Sequence, residues 1–145
     1  MRKSLIILGI LDDGDLEWLI ENGSGRQLQE GDVLLRQGHK VEAMYFLLDG
    51  SLSVELESPK ATQLAELESG EVIGEISLLD SRNATASVRA LDEALLLEIR
   101  HEKLKPKLEA DLGFQARLYR AFGMFLAQRM LSTILSLSYG EYRSE

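Results

Sequence analysis

The chain contains no cysteine among its 145 residues. Disulfides, thiolate metal ligands and a cysteine nucleophile are therefore excluded. Histidine is nearly as scarce, because only His39 and His101 are present and neither lies in a His-x-His or His-Glu-x-x-His pattern. We interpret both as surface residues. Since a Gly-x-Ser-x-Gly elbow and a P-loop are missing as well, we expect a non-enzymatic protein with no catalytic residues, no metal site and no required cofactor.

Basic residues are in deficit, with 16 Lys and Arg against 24 Asp and Glu, so the formal net charge is −8. A chain of this charge repels a phosphate backbone unless a local basic stripe opposes the repulsion, and the sequence shows no such stripe. Residues 138–145, which follow the last predicted helix, are too few for a module that reads a DNA groove. We therefore expect no nucleic-acid partner and no DNA-binding domain.

Long apolar runs are missing too. The apolar run at residues 5–11 contains Gly9, is followed by several aspartates, and lacks the small-residue cleavage pattern of a secretory signal. It is far shorter than the roughly 18 consecutive apolar residues that a membrane span needs. We therefore expect a cytoplasmic protein without a membrane partner. The chain length predicts one domain over residues 1–145.

Turn-forming residues divide the middle of the chain at short intervals, which predicts short antiparallel strands. The strongest hairpin signal is Asp49-Gly50, between the apolar residues 44–48 and 52–56. Helical patterns flank this region at about residues 12–23, capped by Asp12 or Asp13, and at residues 100–138, where Asp111 caps a long helix. The sequence therefore predicts a mainly β fold with flanking helices.

The long predicted helix is apolar on more than one face from Leu118 onward. A helix that packs only against its own domain needs a single apolar stripe. The surplus predicts a parallel homodimer through this helix, and the residues assigned to the dimer helix are Leu118, Phe122, Phe125, Leu126 and Met130. The alternative is that the N-terminal segment covers the second face.

Residues 74–90 read GEISLLDSRNATASVRA: a Gly-Glu opening, a short apolar turn, a polar loop and a small-residue strand. This segment resembles the phosphate-binding cassette of the cyclic nucleotide-binding domain family, which includes the sensor modules of catabolite activator proteins and protein kinase A regulatory subunits. Residues 28–38 and 44–54 resemble the family's glycine-bounded and aromatic-rich strands. The resemblance implies a double-stranded β-helix, a jelly-roll-like β-roll at residues 26–99, between an N-terminal helix and a long C-terminal helix.

The resemblance also implies a regulatory sensor that binds cAMP or cGMP and signals through the C-terminal helix to an effector protein. The ligand-binding residues that it implies are Gly74, Glu75, Ile76, Ser77, Arg82, Thr85 and Ala86. In the family the glutamate accepts hydrogen bonds from the ribose, although Glu75 can equally offset the dipole of a short helix. Ser132 and Thr133 lie where the family caps the purine base, unless their hydroxyls bond to their own helix.

The sequence departs from the family pattern at the arginine that binds the cyclic phosphate, where this chain has Ala84. A guanidinium holds two phosphate oxygens by charge-assisted hydrogen bonds, each of which contributes about 1.5–3 kcal/mol, and a methyl group does not. Arg82 can supply the charge if its loop turns inward, or it can stay solvated. Two functions remain open: a sensor of weakly bound cAMP or cGMP or of a different small anion, and a ligand-silent scaffold for dimerisation or protein interaction.

Overall fold

The computed structural model describes residues 9–74, 78 and 80–144. Its helices are α1 (Asp13–Asn22), α2 (His101–Ala110) and α3 (Leu112–Ser144). Its strands are β1 (Ser24–Leu28), β2 (Val33–Leu35), β3 (Ala43–Asp49), β4 (Leu52–Leu56), β5 (Thr62–Leu67), β6 (Val72–Ile73), β7 (Ser87–Ala90) and β8 (Ala94–Arg100).

The strands form two four-stranded sheets in the order β1-β8-β3-β6 and β2-β7-β4-β5. Every strand pair is antiparallel, and Tyr45 on β3, for example, lies between Glu98 of β8 and Ile73 of β6. Aliphatic residues from both sheets, such as Leu47 and Leu52, form one core inside the roll. This arrangement confirms the predicted β-roll with an N-terminal helix and a long C-terminal helix.

The turn at Asp49-Gly50 does not form the predicted hairpin. Strand β3 belongs to one sheet and β4 to the other, so the chain passes between the sheets at this point. Gly50 has φ +91°, and a Cβ there would lie 2.4 Å from the carbonyl oxygen of Glu93, so the corner needs glycine for its close approach. The local hairpin is β4–β5, in which Leu52 is opposite Leu67.

Helix α1 begins with a reciprocal capping box. The Asp12 carboxylate accepts a hydrogen bond from the backbone N–H of Asp15 at 2.8 Å, and the Asp15 carboxylate accepts one from the N–H of Asp12 at 3.0 Å. Asp15 also binds Arg117 of α3 through Nε at 2.6 Å and Nη2 at 2.9 Å. The hydrogen bond from Arg117 lowers the pKa of Asp15. The bidentate pair therefore connects the first helix to the last.

A second core lies between the helices and the sheet that contains β3 and β8. Met44 and Ile99 of that sheet contact a cluster of side chains from the helices, and the Trp18 ring of α1 lies 5.5 Å from the Phe114 ring of α3. The helix residues that are buried in this core are Leu19, Leu104, Leu108, Phe114, Leu118, Phe122 and Phe125.

The burial of α3 corrects the predicted dimer residues. Leu118, Phe122 and Phe125 are at most 2% exposed within their own chain, so they are unavailable to a partner. The assignment of these residues to a dimer interface is wrong because α1, α2 and the sheet already cover that side of the helix. Leu126 is half-buried and Met130 is exposed.

Leu112, Tyr119 and Met124 are exposed in the first part of α3, and a denser group of exposed apolar residues lies further along the helix. We call this second group the distal apolar face, which consists of Met130, Leu131, Ile134, Leu135 and Leu137. Although α3 has 33 residues, no helix in the described part of the chain combines the length and hydropathy required to cross a membrane. The assignment of residues 1–145 to one domain stays a prediction.

Candidate functional site

A cavity lies inside the β-roll and opens to solvent. Its empty volume is about 680 Å³ when the space open to solvent is included, and its lining comes from both sheets, from the loop at residues 82–86 and from α3. Most of the described wall is aliphatic, with side chains such as Leu35, Val54 and Val72, and its charged residues among those described are Arg82 and Arg129. An apolar pocket with a few convergent polar groups is the usual form of a small-molecule site.

Gly74 opens the cassette at the wall of this cavity. It has φ +87°, and a Cβ there would lie 2.5 Å from the carbonyl oxygen of Ala43. Only glycine allows the backbone to approach β3 this closely. Glu75, Ile76 and Ser77, which the sequence assigns to the ligand, lie outside the described residues.

The loop at residues 82–86 is held against the turn at residues 38–39. The N–H of Ala84 donates to the carbonyl of His39 at 2.9 Å, and the carbonyl of Ala84 accepts from the N–H of Gly38 at 2.8 Å. These bonds place Thr85 and Ala86 at the cavity, as they do Ala84 itself. The structure therefore brings Gly74, Thr85 and Ala86 together at one wall.

Arg82 lies at the cavity and at the surface at the same time. Its guanidinium Nε donates to Asp80 at 2.6 Å, and its side chain is 59% exposed. The sequence left open whether Arg82 turns inward or stays solvated, and its role in ligand binding stays a prediction; in the structure Asp80 accompanies its guanidinium. A ligand anion would therefore have to compete with Asp80 for this guanidinium.

Arg129 of α3 is the cavity cation that the sequence reading missed. Its Nη2 lies 3.3 Å from Oε1 of Glu71, and its guanidinium stacks over the Phe125 ring at 4.8 Å. Glu71 is 2% exposed and also accepts the N–H of Glu68 at 2.7 Å. Within the described residues, the buried Nε of Arg129 has no hydrogen-bond partner, so the guanidinium keeps a free donor at the site.

Two signals could have identified Arg129. It is the only Lys or Arg between Arg120 and Arg143 in the sequence, in an otherwise apolar part of the helix. It also follows Phe125 by four positions, which places it on the face that carries the buried aromatics. Glu71 gave no comparable signal, because it is 58 positions from its partner.

Ser132 and Thr133 do not reach the cavity in the structure. The Thr133 hydroxyl donates to the carbonyl of Arg129 at 3.0 Å, and both residues are exposed. This is the local hydrogen bond that the sequence left open as the alternative to base capping. In this arrangement neither residue caps a base.

His101 is buried, which corrects its interpretation as a surface residue. It is 7% exposed, because the first turn of α2 packs against the sheet just after β8. Burial lowers the pKa of His101, whereas a hydrogen bond to the backbone of Gly74 raises it. The described residues include no group of three or more His, Asp or Glu side chains that could hold a metal ion.

The sequence profile of the cyclic nucleotide-binding domain matches residues 25–111. The chain belongs to the cyclic nucleotide-binding domain family. The matched range includes nearly all of both sheets, the cavity loop and Gly74, whereas Arg129 of α3 lies beyond it.

Two curated relatives are a transcriptional regulator and a protein named after it. The cAMP-activated global transcriptional regulator CRP of Salmonella typhimurium is 28% identical over 73% of this chain and 52% of its own length. The CRP-like protein Clp of Xanthomonas campestris is 28% identical over 85% of this chain and 55% of its own length. The chain thus spans about half the length of these regulators.

Solved structures agree with the fold. The N-terminal domain of a transcriptional regulator from Streptomyces coelicolor A3(2) has a TM-score of 0.71 at 30% identity, with 91% of each chain covered. The c-di-GMP responsive global regulator CLP of Xanthomonas campestris has a TM-score of 0.75 at 27% identity, with 88% of this chain and 63% of that chain covered. These similar proteins are regulators rather than enzymes.

Proposed function

We propose that this domain is a regulatory sensor that holds a small anionic ligand in the cavity of the β-roll. The observation that carries the proposal is the presence of two arginines, Arg82 and Arg129, at the cavity that Ala84 also lines. The ligand is cAMP or cGMP bound weakly, or another nucleotide. Relatives that are cAMP-activated or c-di-GMP responsive support a nucleotide ligand.

The pair of Arg129 and Glu71 supplies a means of signalling. The guanidinium has an unused Nε, and its carboxylate partner is Glu71 of the roll, next to β6. A ligand phosphate in the cavity competes with Glu71 for Arg129. Because Arg129 belongs to α3, that exchange changes how the long helix is held against the roll. The strength of the signal equals the difference in ligand affinity between the two helix positions.

Calorimetric titration with cAMP, cGMP and c-di-GMP tests the sensor, with AMP as the uncyclised control. We expect saturable binding of a cyclic nucleotide and a stronger response in Ala84→Arg, because the new guanidinium can hold two phosphate oxygens. Glu75→Ala should weaken the binding. Absence of heat at millimolar ligand, in both the wild type and Ala84→Arg, would reject the sensor.

A ligand-silent scaffold is the second candidate function. It is favoured by the carboxylates that already accompany both cavity arginines, Asp80 beside Arg82 and Glu71 beside Arg129. In this function the cavity loop closes the roll, and the domain serves dimerisation or the docking of an effector protein. A protein that binds none of the nucleotides and still self-associates would support the scaffold.

A homodimer through α3 is compatible with both the sensor and the scaffold. The proposed contact is the distal apolar face, since the more proximal residues Leu118, Phe122 and Phe125 are buried. Five large apolar side chains exposed along eight positions of one helix are the kind of surface that marks an interaction site. Sedimentation velocity at micromolar concentration should give a dimer, and a monomer would reject it. A cytoplasmic location and the absence of a nucleic-acid partner remain part of the proposal.

A further inference from the structure

A second cleft lies on the outer side of the loop that closes the cavity. We call it the outer cleft, and among the described residues it shares only Val41 and Arg82 with the cavity lining. Its walls come from the segment before β3, the cavity loop and the first turn of α2. The charged and titratable residues that line it are Lys40, Glu42, Arg82, Arg100, His101, Glu102 and Lys105. Cations therefore outnumber anions even though the chain as a whole is acidic.

His101 supplies a buried polar atom at this cleft. The residue is 93% buried, and within the described part of the chain its Nε2 has no hydrogen-bond partner. Its imidazole bonds to the backbone of Gly74, which leaves Nε2 for another partner. A buried nitrogen without a hydrogen bond is unfavourable, so a ligand that completes it gains affinity.

The cations of the cleft differ in how they are paired. Arg100 lies 3.1 Å from Glu102 and 3.8 Å from Glu42, and Lys40 lies 3.9 Å from Glu42. Lys105 makes no ion pair with any described residue. It follows His101 by four positions on α2, so the two side chains share one face of the helix.

The start of α2 adds hydrogen-bond donors. Arg100 is the N-cap residue, and it makes no side-chain capping hydrogen bond. The N–H of His101 already donates to the carbonyl of Glu42 at 2.9 Å, and the other first-turn N–H groups of this ten-residue helix point toward its N-terminal end, which favours a negative charge there. The carboxylate of Glu102 lies in this turn but is paired with Arg100. A helix start, a free lysine and an unpartnered buried imidazole thus converge on one cleft.

We propose that the outer cleft is a second anion site, which binds a phosphate group through His101, Lys105 and the first turn of α2. The site is distinct from the cavity and does not depend on the nucleotide that the cavity holds. Because Arg82 lines both spaces, an anion in the outer cleft draws this guanidinium outward and changes the charge that faces the cavity.

The test is a titration of the full chain with inorganic phosphate. Binding is monitored through the NMR signals of the two histidine rings. Ionic strength is held constant with chloride, and the exposed His39 is the internal control. Phosphate should raise the pKa of His101 by about half a unit or more, because an anion stabilises the protonated ring. The signals of His101 should move saturably, and those of His39 should not.

Two lysines of α2 provide matched variants. Lys105 lines the cleft, whereas the exposed Lys103 does not. Lys105→Ala should weaken phosphate binding about threefold or more, and Lys103→Ala should leave it unchanged. Equal losses in both variants, equal responses of both histidines, or no response of His101 would each overturn the site. Arg129→Gln, which alters only the cavity, should leave the phosphate titration of His101 unchanged even if nucleotide binding fails.

A parallel titration with glycerol 2-phosphate distinguishes the source of the phosphate group. Tighter binding of the ester assigns the cleft to the phosphate of a larger molecule, whereas tighter binding of the inorganic ion assigns it to the free anion. Both results retain the site, and the absence of saturation with both probes would remove it.

Discussion

The large apolar side chains of helix α3 differ in burial between the first and second halves of the helix. In the proximal half, Phe114, Leu118 and Phe122 are at most 2% exposed, because they pack between the sheet and the other helices. In the distal half, Met130 and Leu135 are at least 60% exposed. The contrast shows that apolar periodicity marks a face that can be buried, but not the partner that buries it.

Arg129 stands between these halves. It is the last residue of α3 in the described structure that forms an ion pair with the roll, through Glu71. The buried core residues of α3 all precede this position, and the described apolar residues that follow it are exposed. A ligand that changes the contact of Arg129 would therefore act on the distal half more than on the proximal half.

The largest expected effect on stability comes from a cavity-forming substitution in the proximal half. Phe122→Ala should lower the free energy of unfolding by about 3–5 kcal/mol, because it removes a buried ring and leaves a cavity. Leu131→Ala in the distal half is the matched control, with an expected change within about 0.5 kcal/mol for the monomer. Urea denaturation of dilute protein measures both. Equal losses would mean that the distal half also packs within its own chain.

A smaller loss of stability should follow when the ion pair between α1 and the proximal half of α3 is removed. Asp15→Asn removes the carboxylate that receives two bonds from Arg117, and the free energy of unfolding at neutral pH should fall by about 2 kcal/mol. Asp13→Asn, an exposed carboxylate of the same helical turn, is the control. Denaturation at pH 7 compares the two variants.

The pH dependence of the same pair has a definite sign. The folded state lowers the pKa of Asp15, chiefly through the hydrogen bond from Arg117. The stabilisation is therefore fully present above the unfolded-state pKa of about 3.9 and is lost as the pH falls through the lower folded-state value. The gap between the wild type and Asp15→Asn should narrow over that acidic range. A gap that stays constant would show that the charge is not the source of the stability.

The fold could be predicted from the sequence because its signals are local. Glycines at the turns indicate short strands, and the resemblance of the contiguous cassette to a known family implies that these strands form a roll. The hairpin predicted at Asp49-Gly50 was wrong because a hairpin and a passage between two sheets need the same turn residues. The two structures differ in strand pairing, and here β3 pairs with β8 and not with β4.

The site was predictable only where it is contiguous. Gly74, Thr85 and Ala86 belong to one motif, and the structure places them at one cavity. Arg129 and Glu71 come together through the docking of α3, which no local pattern encodes. His101 has charged neighbours in the sequence, which favoured its interpretation as a surface residue. Its burial follows from the packing of α2 against the sheet, which the local sequence does not show.

At the boundary between the two halves, Arg129→Gln tests the role of the cavity cation. Any nucleotide that binds the cavity should lose about tenfold in affinity, since one charge-assisted bond is removed. Arg120→Gln, an exposed arginine of the same helix, should have no effect. Calorimetry compares the two variants with the wild type. Unchanged affinity in Arg129→Gln would assign the phosphate to Arg82 or to the backbone.

The smallest effect on the stability of the folded monomer is expected from a substitution in the distal apolar face. Ile134→Ser replaces an exposed side chain of the distal apolar face, so the free energy of unfolding of dilute protein should change by no more than about 0.5 kcal/mol. Self-association should nevertheless weaken, because a dimer buries this face and the serine removes apolar area from it. Sedimentation at matched concentrations separates the two effects. An unchanged dimer would move the interface away from this face, whereas a large loss of stability in the monomer would show that the face is covered within the chain.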